Sequence, residues 1–173
     1  MKKRIFILLF FLVHDIVVAQ QNSVLSFGDF YKISVENDGV YQLTYSDFQQ
    51  LNISTNNLDI SSIKLYGNGG GMLPNLNSDF RYSDLQENAI YIYDNNNNGV
   101  FNSEDYLLFF GQSSNEWKYD SIQNIFDYSE HLYSDKNYYF VTVDESSPGK
   151  RISEKQNLAN FSKTITSFND FQV

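Results

Sequence analysis

The sequence predicts an all-β protein, mainly an antiparallel β-sandwich with at most one short helix. Three observations lead there. The chain holds 15 Phe and 13 Tyr beside many Ile and Val, the residue types that fit a pleated, half-buried surface. Its apolar runs are short and are broken by Asn, Gly, Asp and Ser about every ten residues, the spacing of sandwich strands. A parallel sheet would need crossover helices, and the pattern offers none.

The elements follow in order. Phe27 to Val35 reads as a strand with Tyr31, Ile33 and Val35 on one side. Asn37-Asp38-Gly39 signals a hairpin turn, with Val40 to Thr44 as the returning strand. Ser46 to Leu51 is the one helical stretch, with Ser46 as its cap and Phe48 and Leu51 three apart on its apolar side. Ile63 to Tyr66 is a strand that runs into the glycine cluster Gly67 to Gly71. No Gly-Lys-Ser/Thr and no helix follow that cluster, and Pro74 comes soon after. It is therefore read as a turn using positive φ, not a phosphate loop. Ala89 to Tyr93 and Tyr106 to Phe110 are strands flanking a polar loop. Ile63 to Gly67 and Leu107 to Gly111 end alike, in an aromatic followed by glycine, and are expected to be equivalent sheet edges. Trp117 to Tyr119, Ile125 to Tyr133 and Tyr138 to Val143 continue the strands, Pro148-Gly149 is a turn, and Ile165 to Val173 opens another strand-like segment. The aromatics are expected mainly in interior and cross-strand packing.

Composition excludes several chemistries. Residues 1–19 have the pattern of a signal peptide: Lys2, Lys3 and Arg4, an apolar run from Ile5 to Val13, and the small-residue site Val17-Val18-Ala19. His14 and Asp15 leave the apolar run too short for a membrane span. An exported chain is expected, in the periplasm or at the outer membrane and cell surface. The remainder, about 154 residues, suits one domain over 20–165, with 166–173 starting a following segment. Loss of the leader moves the net charge from −9 to about −11, which repels phosphate backbones and argues against nucleic acid as a partner. With no cysteine there is neither a disulfide nor a thiol nucleophile, and lipid attachment through a lipobox cysteine is excluded. His131, the sole histidine after the leader, is read as structural. Asp120-Ser121-Ile122 matches a short O-glycosylation pattern but reads better as a turn.

The segment Asp94-Asn-Asn-Asn-Asn-Gly-Val-Phe-Asn-Ser-Glu-Asp105 has the layout of a calcium loop. Asp94, Asn96 and Asn98 would give side-chain oxygens and Val100 its backbone carbonyl. Asn102 would ligate directly or through water, and Asp105 would close the sphere, with Gly99 at the sharp turn. The spacing resembles dockerin-type loops more than signalling EF-hands, although strands, not helices, flank it. With only two charged ligands, affinity for Ca2+ should be on the order of 10⁻⁴ to 10⁻³ M. The competing reading is an Asn-rich hairpin turning at Asn98-Gly99. Either way the loop's expected job is structural.

The blocks "YGNGGGMLP" (66–74), "DLQENAIYIYD" (84–94) and "EDYLLFFG" (104–111), with "FYKISVENDGVYQLTY" (30–45) and "LYSDKNYYFV" (132–141), resemble the N-terminal region of type IX secretion system sortases. These are gingipain-like cysteine peptidases. The resemblance runs from Phe27 to Val173. It implies an outer-membrane-associated enzyme that removes C-terminal secretion signals from cargo proteins, using a Cys-His dyad in a domain that follows this region. No residue of this chain matches that dyad, so the expectation is a non-catalytic N-terminal β-domain, truncated before the peptidase domain. The partners implied are that peptidase domain, an outer-membrane secretion component and cargo. The alternative is a free-standing, calcium-stabilised adhesion or carbohydrate-binding domain.

Overall fold

The computed structural model describes residues 23–153 and residue 155; the expected leader over 1–19 and the strand-like stretch 165–173 lie outside them. Within the described residues nine strands form two facing antiparallel sheets and one separate hairpin. The first sheet holds β1 (Phe30–Val35), β9 (Asn137–Val143), β3 (Ile63–Tyr66) and β4 (Glu87–Asn88), in the order β1-β9-β3-β4. The second holds β2 (Gly39–Thr44), β6 (Tyr106–Gly111) and β5 (Tyr91–Tyr93), in the order β2-β6-β5. The hairpin is β7 (Glu116–Asp120) with β8 (Ile125–Ser129).

The sandwich follows from strand alternation, which sends every second side chain to one face. Val35, Ile63, Leu65, Tyr139 and Val141 from the first sheet meet Leu107 and Phe109 from the second, and all are buried. The rings of Phe109 and Tyr139 lie 5.3 Å apart across the layers. The predicted inner face of the first strand is borne out: Val35 is buried, and Tyr31 and Ile33 pack against the core.

The expected hairpin at Asn37-Asp38-Gly39 is not one. β1 pairs with β9 and β2 with β6, so the turn carries the chain from one sheet to the other. Side chains fasten this corner: the Ser113 N–H donates to Asp38 Oδ1 at 2.6 Å, and the Tyr41 hydroxyl donates to the Asn37 carbonyl at 2.8 Å. The helix α1 spans Tyr45–Gln50 and is capped by Thr44, two residues earlier than Ser46. Asp47 N–H donates to Thr44 Oγ1 (3.3 Å) while Thr44 N–H donates to Asp47 Oδ2 (2.7 Å), a reciprocal pair that satisfies two end donors. Phe48 is the helix's buried anchor, 4.8 Å from the ring of Phe101.

β3 and β6 are interior strands, not the sheet edges expected from their shared ending. What they share is a glycine beneath a tyrosine ring. A Cβ on Gly67 would lie 2.5 Å from the Tyr139 ring, and one on Gly111 2.8 Å from the Tyr41 ring. The glycine cluster therefore has two causes. Gly69 and Gly71 have φ of +82°, as the turn reading predicts, but Gly70 is required because a Cβ would stand 2.2 Å from the Ser113 carbonyl oxygen.

Candidate functional site

The polar loop joins β5 to β6, whose antiparallel register ends at Tyr93↔Tyr106. Those two rings stack 4.9 Å apart directly below the loop. Hydrophobic anchoring continues on its far side. Phe101 is buried in the core, and its N–H donates to the Leu58 carbonyl at 2.8 Å. The Ile60 N–H donates to the Gly99 carbonyl at 3.0 Å, which completes a bridge between Asp59 and Val100. The twelve residues are thus pinned at both ends and along one side.

Within that frame the candidate ligands fold onto the loop's own backbone. Asp94 Oδ2 accepts from the Gly99 N–H (2.8 Å) and Oδ1 from the Asn98 N–H (3.3 Å). Asn96 Oδ1 accepts from the same Asn98 N–H at 3.2 Å. Asn98 Oδ1 accepts from the Val100 N–H (2.7 Å) and from Asn102 Nδ2 (3.3 Å). The left-handed residues are Asn97 (φ 52°) and Gly99 (φ 77°), so the turn is not a simple Asn98-Gly99 pair. The bridge hydrogen bonds belong to Gly99 and Phe101, and they leave the Val100 carbonyl outside that pairing.

Asp105 stands apart from the others. It is only 2% exposed. Its Oδ1 accepts from the Asn95 N–H (2.9 Å) and its Oδ2 from the Asn102 N–H (2.6 Å), which ties the two strands of the loop across its neck. A buried carboxylate is tolerable when hydrogen-bonded in this way. The structure gathers Asp94, Asn96, Asn98 and Asn102 around the tip, with Asp105 at the neck. The donor set is entirely oxygen, the chemistry a hard cation such as Ca2+ selects. Among the described residues there is no cluster of three or more His, Asp or Glu.

The other places marked in the sequence are structural. His131 Nδ1 accepts from the N–H groups of Tyr133 (3.2 Å) and Ser134 (3.0 Å), and so holds a turn. Asp120 Oδ1 accepts from Ile122 and Gln123 N–H groups and shapes the β7–β8 turn. No helix among the described residues is long and apolar enough to cross a membrane.

One surface was not foreseen. The hairpin aromatics do pack across strands, as expected: Trp117 on Tyr128 (4.8 Å) and Tyr119 on Phe126 (5.1 Å). Yet they stay 41 to 68% exposed, because among the described residues no second layer covers the ribbon. Alternation at 117, 119, 126 and 128 was the available signal; nothing in it told that the facing layer would be missing.

No protein-family model matches this sequence, and no curated protein does. Among solved structures the chain is similar to the crystal structure of dimeric latent PorU from Porphyromonas gingivalis, with a TM-score of 0.56 and 24% identity. The match covers 83% of this chain and 12% of that one, so the chain spans about an eighth of the length of the protein it resembles. At this identity the likeness is one of fold.

Proposed function

We propose that this chain is an accessory β-domain of a type IX secretion system sortase, the N-terminal module of a gingipain-like peptidase, and is not itself catalytic. The observation that carries the reading is the fold likeness to part of PorU. It is supported by where the family-like blocks lie: they fall on β3 with its glycine turn, on β4 and β5, and on β6. The polypeptide supplies no thiol, and His131 spends Nδ1 on backbone N–H groups. On this reading the chain is exported through its leader to the periplasm or cell surface. It serves a peptidase domain, an outer-membrane component and cargo by positioning, not by chemistry.

Two measurements test this. The reading frame continued past Val173 should encode a Cys/His peptidase domain. An in-frame deletion of 23–153 should then leave cargo proteins with uncleaved C-terminal signals, read by mass spectrometry of their C-termini. Absence of such a domain, or unchanged cleavage, overturns the proposal.

The reading includes calcium as a structural ion in the 94–105 loop, held by Asp94, Asn96, Asn98, Val100, Asn102 and Asp105. The ion would add cross-linking to a hairpin already tied at its neck. Millimolar Ca2+ should raise the Tm, with a gain of about 1.4 kcal/mol at ten times Kd, and Asp94→Ala should abolish the rise. No rise at several millimolar Ca2+ leaves the loop a plain hairpin.

The alternative, a free-standing adhesion or carbohydrate-binding domain, draws on the exposed hairpin aromatics. Their paired rings are inclined at 45° and 47°, a herringbone that offers sugars no flat shared platform. Binding on a glycan array by the chain without its leader would favour this alternative.

A further inference from the structure

Among the described residues nothing covers the aromatic face of the β7–β8 ribbon, and loops gather at its foot. The Gly71 N–H donates to the Ser114 carbonyl (3.1 Å), and the His131 N–H donates to Asn115 Oδ1 (2.9 Å). This brings the 67–86 and 130–136 loops to the base of the hairpin.

The surface is large and apolar. Trp117, Tyr119, Phe126 and Tyr128 are 50, 54, 68 and 41% exposed, and Leu132 and Tyr133 at the foot are 74 and 87% exposed. At 150–250 Å² per aromatic side chain, the four-ring ladder leaves roughly 400–500 Å² uncovered, and the two loop residues bring the total to roughly 800 Å². That already exceeds the patch a monomer ordinarily shows, and it matches one side of a standard protein–protein interface. An isolated two-stranded ribbon is also marginal in water without a layer against its apolar face.

Charge selects the occupant. Segments 67–86 and 130–136, the loops at the ribbon's foot, carry four carboxylates (Asp79, Asp84, Glu130 and Asp135) against two basic side chains (Arg81 and Lys136). Of the two, Lys136 is already paired with Glu36 (2.9 Å). A second copy would set acidic rim against acidic rim, in a chain whose net charge is −9. An anionic glycan or lipid headgroup meets the same repulsion. We infer that the aromatic face of the β7–β8 ribbon docks a folded protein surface with an apolar centre and a rim of Lys and Arg. This goes beyond the sortase reading and holds equally for a free-standing module.

The test places a photo-cross-linking phenylalanine analogue at Tyr119 or Phe126 in the full chain in its own cells, with Lys118 on the opposite ribbon face as the control position. The expected result is one protein captured from 119 and 126 but not from 118. Its cross-linked residues should map to an apolar patch flanked by Lys and Arg, with yield falling as NaCl rises from 0.05 to 0.5 M. With that partner purified, Trp117→Ala/Tyr128→Ala should weaken binding at least tenfold. Because that variant removes a ladder pair on which the ribbon's own folding depends, Glu130→Lys/Asp135→Lys provides a second arm. It leaves the ladder intact and should weaken binding about tenfold at low salt, and less at high salt. Cross-links to a second copy, to glycan or lipid, equal yields at 118, or an unchanged Kd for the charge-reversed variant overturns the inference.

Discussion

Asp105→Ala should unfold the loop neck without any metal being involved, and the size of that effect follows from two hydrogen bonds. The carboxylate is buried and takes the N–H groups of Asn95 and Asn102 at 2.9 and 2.6 Å. A hydrogen bond to a charged group contributes about 1.5–3 kcal/mol, so the pair would reach about 3–6 kcal/mol if both donors were left dry. Both bonds are only part-buried, so water recovers some of this, and the expected cost is about 2–4 kcal/mol. Asp94→Ala removes a part-buried bond of 2.8 Å and an exposed one of 3.3 Å; Asp94 is half-buried where Asp105 is buried, so water substitutes more fully and the cost should be about 1 kcal/mol. Urea unfolding in EDTA, followed by far-UV circular dichroism, measures both. With m of about 2 kcal/mol/M, mid-range for urea, Asp105→Ala should lower the midpoint by roughly 1–2 M with m unchanged, and Asp105→Asn, which keeps one acceptor, by roughly half as much. A loss below about 1 kcal/mol for Asp105→Ala, or one equal to that of Asp94→Ala, refutes the neck argument.

Other expectations can be checked on the same material. The hydrogen bond from Lys64 Nζ (2.6 Å), helped by those from Ser146, holds the Asp144 carboxyl at about 2, below its ordinary value of 3.8. A lowered pKa makes its contribution present above about pH 4 and lost as pH falls through about 2. The Tm difference between the parent and Asp144→Asn should therefore be largest above pH 4 and shrink toward pH 2. It should be modest, since Asp144 is 41% exposed. Gly70→Ala drives a Cβ into the Ser113 carbonyl and should lower Tm well beyond Gly99→Ala. Gly99 has open space around it and loses only the ease of its φ of +77°, about 1 kcal/mol. Phe101→Ala empties a site shared with Phe48 and Tyr45 and should cost about 3–5 kcal/mol by urea titration.

How far the fold could be read from the residues is clear at particular positions. Alternation in Tyr31-Ile33-Val35 and Leu107-Phe109 gave the strands and their inner faces, because a period of two is a local property. Partner choice is not local. Asn37-Asp38-Gly39 looks the same whether the next strand folds back or crosses to the facing sheet, and here Asp38 and Tyr41 bind the crossing form. The cap is Thr44, whose N–H Asp47 answers three residues on; Ser46 also has Gln49 three residues after it, so the local pattern offers two caps and does not choose between them. Gly67 and Gly111 were marked as turn or edge residues, but what they meet is the ring of a tyrosine on a paired strand, visible only once pairing is known. In the loop, spacing singled out Asp94, Asn96, Asn98, Asn102 and Asp105, whose side chains hydrogen-bond within the loop. It did not reveal that Asp105 would be spent on the neck while Asp94, Asn96 and Asn98 shape the tip.

The pairing of β1 with β9, Phe30 against Thr142 at one end and Val35 against Asn137 at the other, also sets a clock. β9 lies between β1 and β3, so the first sheet has no centre until its last strand exists. At synthesis rates of about 5–20 residues per second, β1 waits roughly 5–20 s for its partner. Loop closure over such a separation makes sheet formation slow even then. A chain built this way stays open and threadable while it is being made, and commits to its shape only when Val143 arrives.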